Sequence, residues 1–438
     1  MTLIKSFLRG FGLFLLLAVF LAAWIVLPWP ALLGIAVLFA LWMAFTRSGR
    51  QAASVTRVGV STLAQRLGAS SVVVIGIAGV VGVLVALLAM AEGYRHTVSS
   101  SGTDDTAIVL RGGSSAELMS VLSRDQITTI ERAPEIARDA EGRPLASAEL
   151  VVSANVPRSD GEEGSVTLRG VGDMAWVVRP GVKLVEGRKF EPGRRELVVG
   201  KGARRQFAGL DPGKELRLGN QVWTVVGVFE SGDAMESEMW ADGEIVSSAY
   251  RRGSSRASVF AKLTDAKAFN AFKATLAADP RLQVEADTTR EYFSKQSEAI
   301  SKVLRIIGIV VGSIMAIGAV FGALNTMFAT VASRAREIAT LRAIGFRGMP
   351  VVVAVMLETM LLAAIGGLLG GLLAWLVFNG YTASTVAGGV ASLSFEFKVS
   401  PDLLWQGLKW ALAIGFVGGL FPALRAATLP VTDALRAA

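Results

Sequence analysis

The sequence predicts an integral membrane α-helical protein with four core transmembrane helices plus an N-terminal hydrophobic hairpin. One α+β extracytoplasmic domain is inserted between core helices 1 and 2. Three observations carry this. Of the 438 residues, 52% are hydrophobic and 18% charged, against about 25% charged in an ordinary soluble chain. The apolar residues are gathered in blocks of bilayer-spanning length. Arginines collect at alternate ends of those blocks, the pattern that marks the cytoplasmic side.

Composition also excludes chemistry. Cysteine is absent, so disulfides, thiolate metal sites and a cysteine nucleophile are ruled out. The single histidine, His96, offers no zinc cluster and no histidine-based triad. The net charge of +8 sits largely beside apolar blocks, where it sets orientation, so no nucleic-acid partner is expected. No G-x-x-x-x-G-K-[ST], G-x-S-x-G or H-E-x-x-H occurs. The pairs Asp104-Asp105 and Glu162-Glu163 lie in turn-like contexts and read as solvated loops. No catalytic, cofactor-binding or metal site is therefore expected.

Residues 1–46 form the N-terminal hairpin. Leu3 to Leu27 is almost wholly apolar, Pro28-Trp29-Pro30 breaks it, and Ala31 to Thr46 is a second, shorter run. That shortness allows a shallow or tilted hairpin. A cleaved signal peptide is the rival reading. Trp24 and Ile25 stand where small residues would be wanted, and a second apolar run comes at once. Residues 47–69 read as an amphipathic helix on the cytoplasmic interface, with Val55, Val58, Leu63 and Leu67 on one side. Core span 1 is 70–92, where Gly76, Gly79 and Gly82 present a small face for packing against another span or a second subunit.

Residues 93–300 have the hydropathy of a soluble domain ending in a stalk. Strands are expected at Ala107–Arg111, Glu149–Ala154, Ser165–Val171, Glu196–Gly200, Glu215–Leu218, Val222–Phe229, Ser258–Leu263 and Leu282–Ala286. Helices are expected at Ser123–Arg132, Lys201–Phe207 and Asp265–Ala278, with Asp265 as an N-cap. Thr288 to Lys302 is polar and helical and runs without a breaker into core span 2, residues 301–332. Such a helix would tie the external domain to the segment on the far side of the span.

That segment, 333–348, reads as a short basic amphipathic helix. Ile338, Leu341, Ala343 and Ile344 supply an apolar stripe, Arg334, Arg336, Arg342 and Arg347 the charge, and Gly345 the C-cap. It suits docking to a soluble partner; the plainer reading is a solvated loop whose arginines only fix topology. Core span 3 is 349–378, with Gly366 and Gly370 in its packing face. Its one acid, Glu358, is read as pairing with an arginine or a backbone group, a proton relay being the alternative. Asn325 of span 2 is read as interhelical glue. An outer loop, 379–402, leads to core span 4, 403–424, and a cytoplasmic tail, 425–438. No internal repeat is visible, so the chain is expected to need a mate.

The pattern Arg334, Arg336, Glu337, Ile338, Leu341, Arg342, Ala343, Ile344, Gly345, Phe346 resembles the segment after the second core span of FtsX/MacB-like ABC transporter permeases. The run Gly418 to Ala427, with Pro430 and Asp433-Ala434-Leu435-Arg436, resembles the last span and tail of that family. The glycine-punctuated run from Glu186 to Phe229 is similar to its extracytoplasmic domain. The resemblance covers Val55 to Ala438 and leaves the first fifty residues outside it.

The resemblance implies the permease subunit of a bacterial inner-membrane transporter. ATP and Mg would be bound by a separate cognate ABC ATPase. Arg334, Arg336, Glu337, Ile338, Leu341, Arg342, Ile344, Gly345 and Phe346 would couple that ATPase to movement of periplasmic domains. A second permease, identical or paralogous, would complete the dimer in the lipid bilayer, and a periplasmic adaptor would receive an exported hydrophobic molecule, peptide or lipoprotein. The alternative is an FtsX-like regulator driving a cell-wall hydrolase or a sensing partner.

Overall fold

The computed structural model describes residues 19–21, 23–61, 66–159, 161–387 and 391–428. The start of the predicted hairpin, Leu63 of the interface helix and the tail motif from Pro430 onward lie outside them. The chain divides into two compact units. One comprises residues 1–90, 303–379 and 398–438; the other comprises 91–302 and 380–397.

The first unit is helical, and two of its helices continue in sequence past its bounds, at residues 91–99 and 289–302. Helices α1 (Trp29–Phe45), α2 (Arg47–Ser61) and α3 (Leu67–Ser99) open the chain. Five helices of the other unit intervene before α9 (Thr289–Ser333), α10 (Ala335–Ala343), α11 (Gly348–Phe378) and α12 (Pro401–Thr428). Four helices, α3, α9, α11 and α12, are long and apolar enough to cross a membrane. The apolar segment Val19–Val26 and α1 are bent by 112° about the Pro28 break, short of a tight antiparallel hairpin. The proline break meets α12. Lys409 is buried there, and its Nζ donates to the carbonyls of Ile25 and Leu27, which the proline break leaves without helical partners. Trp24 Nε1 donates to the Lys409 carbonyl at 3.1 Å.

Glycines set the contacts between spans, though not all those expected. A Cβ at Gly366 would lie 2.8 Å from the Val74 carbonyl oxygen, and one at Gly370 2.4 Å from that of Ala78, so α11 and α3 touch backbone to backbone. Gly82 approaches the Gly370 carbonyl, at 3.6 Å. Among the described residues Gly76 and Gly79 meet nothing within 4 Å and face outward, so of the two partners expected for them, another span or a second subunit, no described span of this chain fills the first role. Asn325 is likewise on the exposed face of α9, beside Phe321, and joins no other helix by a side-chain hydrogen bond among the described residues. In α2 the buried stripe is Ala52, Val55 and Gly59, while Val58 is exposed. Small residues there let α2 lie closer to α11 than a valine stripe would.

The second unit is α+β. One sheet runs in the order β10-β1-β9-β2-β3-β8-β5-β7-β4, with β6 paired to β7. Its strands are β1 (Thr106–Arg111), β2 (Ala146–Pro157), β3 (Glu163–Val171), β4 (Lys183–Gly187), β5 (Glu196–Gly200), β6 (Glu215–Leu218), β7 (Gln221–Glu230), β8 (Glu238–Asp242), β9 (Ser258–Lys262) and β10 (Val284–Thr288). Its helices are α4 (Arg124–Glu131), α5 (Met174–Val178), α6 (Lys201–Gln206), α7 (Gly243–Ala249) and α8 (Phe269–Ala278). Only the pairs β3/β8 and β5/β7 are parallel. Asp265 accepts from the N–H groups of Lys267 and Ala268, capping the turn before α8.

The expected outer loop is corrected: it carries a hairpin of β11 (Thr382–Ala387) and β12 (Ala391–Glu396). The hairpin belongs to the second unit. A Cβ at Gly93 would sit 2.0 Å from the Glu396 carbonyl oxygen, so only glycine admits β12 there. Tyr94 meets Phe395 edge-on at 5.5 Å.

A buried ionic network joins the middle of the main sheet. Arg169 of β3 donates to Glu238 at 2.7 and 2.8 Å, to Glu117 at 2.8 and 3.0 Å, and to Glu149 at 2.9 Å. Arg179 donates twice to Glu149 and lies 3.9 Å from the Phe260 ring centre. Ser258 Oγ donates to Glu117 at 2.6 Å. Burial alone would raise Glu117, but the Arg169 guanidinium, helped by Ser258 and Arg179, overrides it and holds the carboxyl below its usual range.

Candidate coupling site

The segment between α9 and α11 is built around a residue that leaves the helix path. Arg334 breaks α9 from α10 with φ −101° and ψ 8°. Its side chain turns inward and is only 7% exposed. Nη1 donates to Glu358 Oε2 at 2.8 Å, and Nε donates to Glu337 Oε2 at 3.1 Å. Glu358, expected to pair with an arginine or a backbone group, thus meets an arginine across 24 residues of chain. A buried ion pair of this kind is costly to break, because either partner alone would be stranded in apolar surroundings. Glu337 also reaches Arg66, at 3.8 Å.

Two further features fix α10. Ile338 and Ala339 are buried, and Ile338 joins a core cluster with Met327 and Val331 of α9, Val351 and Val355 of α11, and Ala423 of α12. At the other end, Gly345 has φ +103°, a conformation that disfavours any side chain. Its N–H donates to the Arg342 carbonyl, and that of Phe346 to the Leu341 carbonyl, each at 3.1 Å. This pair of bonds is the Schellman closure, and it stops α10 sharply.

The nine residues assigned to coupling therefore divide. Arg334 and Ile338 face inward and hold the helix. Leu341, Arg342 and Phe346 are half-buried. Arg336, Glu337, Ile344 and Gly345 are exposed, Ile344 at 68%. The outward set combines a cation with an apolar side chain, the composition of a protein-docking surface. A cavity of about 420 Å³ opens beside it, lined by Val55 and Val58 of α2, Leu341 of α10 and Val351 of α11. Sequence reasoning missed Gly59, where a Cβ would sit 3.1 Å from Glu358 Oε2, so α2 lies directly over the ion pair. It also missed Arg66. Both come from a stretch about 270 residues earlier in the chain, and no local pattern signals that approach.

Residues 70–279 match the MacB-like periplasmic core domain, and residues 309–431 match the FtsX-like permease C-terminal family. With its four spanning-length helices, the chain is a membrane permease carrying a periplasmic-type domain. It belongs to the FtsX/MacB-like ABC transporter permease family.

Among curated relatives, it is 26% identical over 387 residues to the macrolide export ATP-binding/permease protein MacB 1/2 of Paracoccus denitrificans, covering 83% of this chain and 55% of that one. It is 26% identical over 388 residues to the MacB of Neisseria gonorrhoeae, with coverage of 83% and 57%. It is also 26% identical over 383 residues to the pyoverdine export ATP-binding/permease protein PvdT of Pseudomonas aeruginosa, with coverage of 83% and 55%. The chain thus spans about half the length of the curated relatives it matches. Among solved structures, the periplasmic region of MacB from Actinobacillus actinomycetemcomitans is similar at 17% identity and a TM-score of 0.34, over 43% of this chain and 90% of that one. The extracellular domain of the Gram-positive transporter YknZ is similar at 18% identity and a TM-score of 0.33, over 42% and 100%.

Proposed function

We propose that this chain is the permease subunit of a bacterial inner-membrane ABC transporter, working with a separate ATPase that binds ATP and Mg. The observation that carries the reading is the Arg334–Glu358 pair, which clamps α10 to α11 while α10 turns Arg336 and Ile344 outward. A force on that exposed face would be passed to α11 through the ion pair and to α9 through the Ile338 cluster. The 45-residue α9 is unbroken from Thr289 to Ser333, so it would transmit movement as a rigid rod into the periplasmic domain. Two permeases would pair, with the outward Gly76 and Gly79 face available for close contact. The N-terminal segment, docked through Lys409, would act as an added hydrophobic element beside α12.

Export or efflux of a hydrophobic molecule, peptide or lipoprotein into a periplasmic adaptor is the activity we assign, since relatives similar over 83% of this chain are named for macrolide and pyoverdine export. The test is reconstitution with candidate ABC ATPase subunits from the same organism. Arg336→Glu combined with Ile344→Glu alters only exposed side chains. It is expected to cut ATPase co-purification at least tenfold, a loss of about 1.4 kcal/mol or more, with an unchanged thermal midpoint. Equal retention of the ATPase by both forms would remove the docking role from this face.

A further inference from the structure

The soluble unit holds a second cluster of arginines that no ion pair consumes. Arg111, Arg124 and Arg252 line one open cavity of about 460 Å³. No aspartate or glutamate lines it; the other polar groups are Ser123, Ser254, Ser255, Gln126 and Gln283. None of the three guanidiniums makes a salt bridge among the described residues, whereas neighbouring Arg256 is paired with Glu244. Three like charges facing one concavity repel each other, and an anion placed among them relieves that.

The three are brought there by three separate devices. Arg111 ends β1, and its N–H donates to Ser120 Oγ at 2.9 Å. Arg124 opens α4 behind a complete capping box between Ser123 and Gln126. Leu122, just before it, exchanges backbone hydrogen bonds with Arg256 at 2.8 and 3.0 Å, which pins α4 to the loop carrying Arg252. That loop is strained. Arg251 has φ +54°, the one non-glycine residue with positive φ among those described. Such a conformation is disfavoured for a residue with a Cβ and persists where the surroundings enforce it. Here they do: the Arg252 N–H donates to the Ser247 carbonyl at 2.9 Å, Ser255 Oγ donates to the Arg252 carbonyl at 2.7 Å, and buried Ser247 Oγ bonds the Gly253 carbonyl. The strain fixes the position of Arg252 at the cavity.

From this convergence we infer a binding site for a phosphate ester. A monoanionic carboxylate would leave most of the charge unmatched. A phosphoryl group offers a higher charge and several acceptor oxygens, which suit guanidinium forks and the surrounding hydroxyl and amide donors. The phosphate could be carried by a soluble ester or by a lipid headgroup. The inference stands independently of the coupling reading.

The test uses the full chain in neutral detergent and inorganic pyrophosphate as the probe, with titration calorimetry as the readout. Saturable binding that weakens with salt is expected. Arg124→Gln and Arg252→Gln should each weaken it roughly tenfold, a loss within reach of one charge-assisted contact. Arg252→Lys should fall between, because it keeps the charge and loses the fork. All three side chains are exposed, so thermal midpoints should hold and report that the variants fold. Competition by glycerol phosphate and by dihexanoyl phosphatidate separates the sources: equal competition identifies a soluble ester, and much stronger competition by the phosphatidate a lipid phosphate. Absence of pyrophosphate binding, or binding undiminished in the Arg124→Gln/Arg252→Gln double variant, overturns the assignment.

Discussion

Arg169→Ala is expected to unfold the soluble unit at a markedly lower temperature than the native chain. Arg169 is 2% exposed and is the shared partner of Glu117, Glu149 and Glu238. Without it, Arg179 alone would face these carboxylates, and it reaches only Glu149. Stranding a buried charge costs about 3–5 kcal/mol, against a total stability of roughly 5–15 kcal/mol. For a domain of this size that corresponds to a fall on the order of 10 °C in the thermal midpoint. Scanning calorimetry of the detergent-solubilised chain reads it, and a change of under about 2 °C would mean the network does not join the sheet.

The same network predicts acid sensitivity. The folded value of Glu117 lies below its unfolded one. Its contribution is therefore fully present above the unfolded carboxylate value of about 4.3 and is lost as pH falls through the lower folded value. The midpoint of Glu117→Gln should depend less on pH in that window.

Arg334→Ala is expected to have the second largest effect, and on function before fold. It removes the cation hydrogen-bonded to Glu358 at 2.8 Å and releases α10 from α11 at one stroke. The penalty is again about 3–5 kcal/mol. Glu358→Gln should cost less, since the neutral amide can still accept from Arg334, and Arg334 keeps Glu337 as a charged partner at 3.1 Å. The ordering is the prediction: ATPase stimulation by the permease should fall most in Arg334→Ala, less in Glu358→Gln, and recover in part in the exchanged pair Arg334→Glu/Glu358→Arg. Equal and small effects in all three would show that the ion pair only fixes topology.

Much of this architecture is legible in the sequence, for identifiable reasons. The long apolar runs of α3, α9, α11 and α12 declare themselves by hydropathy. Strands β5 and β6 fall where alternation and glycine turns place them. Strand β8, Glu238–Asp242, is hidden because it is five residues squeezed between a tight turn and a helix cap. Strand β4, Lys183–Gly187, is an edge strand with exposed polar residues and no buried face to pattern it. The 382–396 hairpin does carry a sequence signal, a Gly388-Gly389 pair that follows Thr385-Val386-Ala387 and precedes Val390.

At the candidate coupling site, the chemistry of Glu358 could be read from an acid in an apolar run. The identity of its partner could not, nor could the roof provided by Gly59, because both depend on which helices meet. The glycine stripes make the same point. Gly366 and Gly370 pack inside the chain and Gly76 and Gly79 do not, yet all four sit in similar sequence.

The central claim is that α9 carries movement from the α10 corner to the periplasmic domain. Cysteine is absent from the chain, so paired spin labels can be placed at Thr340→Cys and Lys273→Cys without background. Their separation is measured by double electron–electron resonance in the reconstituted transporter, with ADP and with trapped ATP, in the native helix and in Glu298→Pro. Proline at that exposed helical position removes a backbone hydrogen bond and kinks the rod, at a cost of about 3 kcal/mol. A nucleotide-dependent shift in the native helix that disappears with the proline, while ATPase binding persists, is the predicted result. A shift unaffected by the proline, or no shift in either form, would contradict transmission through α9.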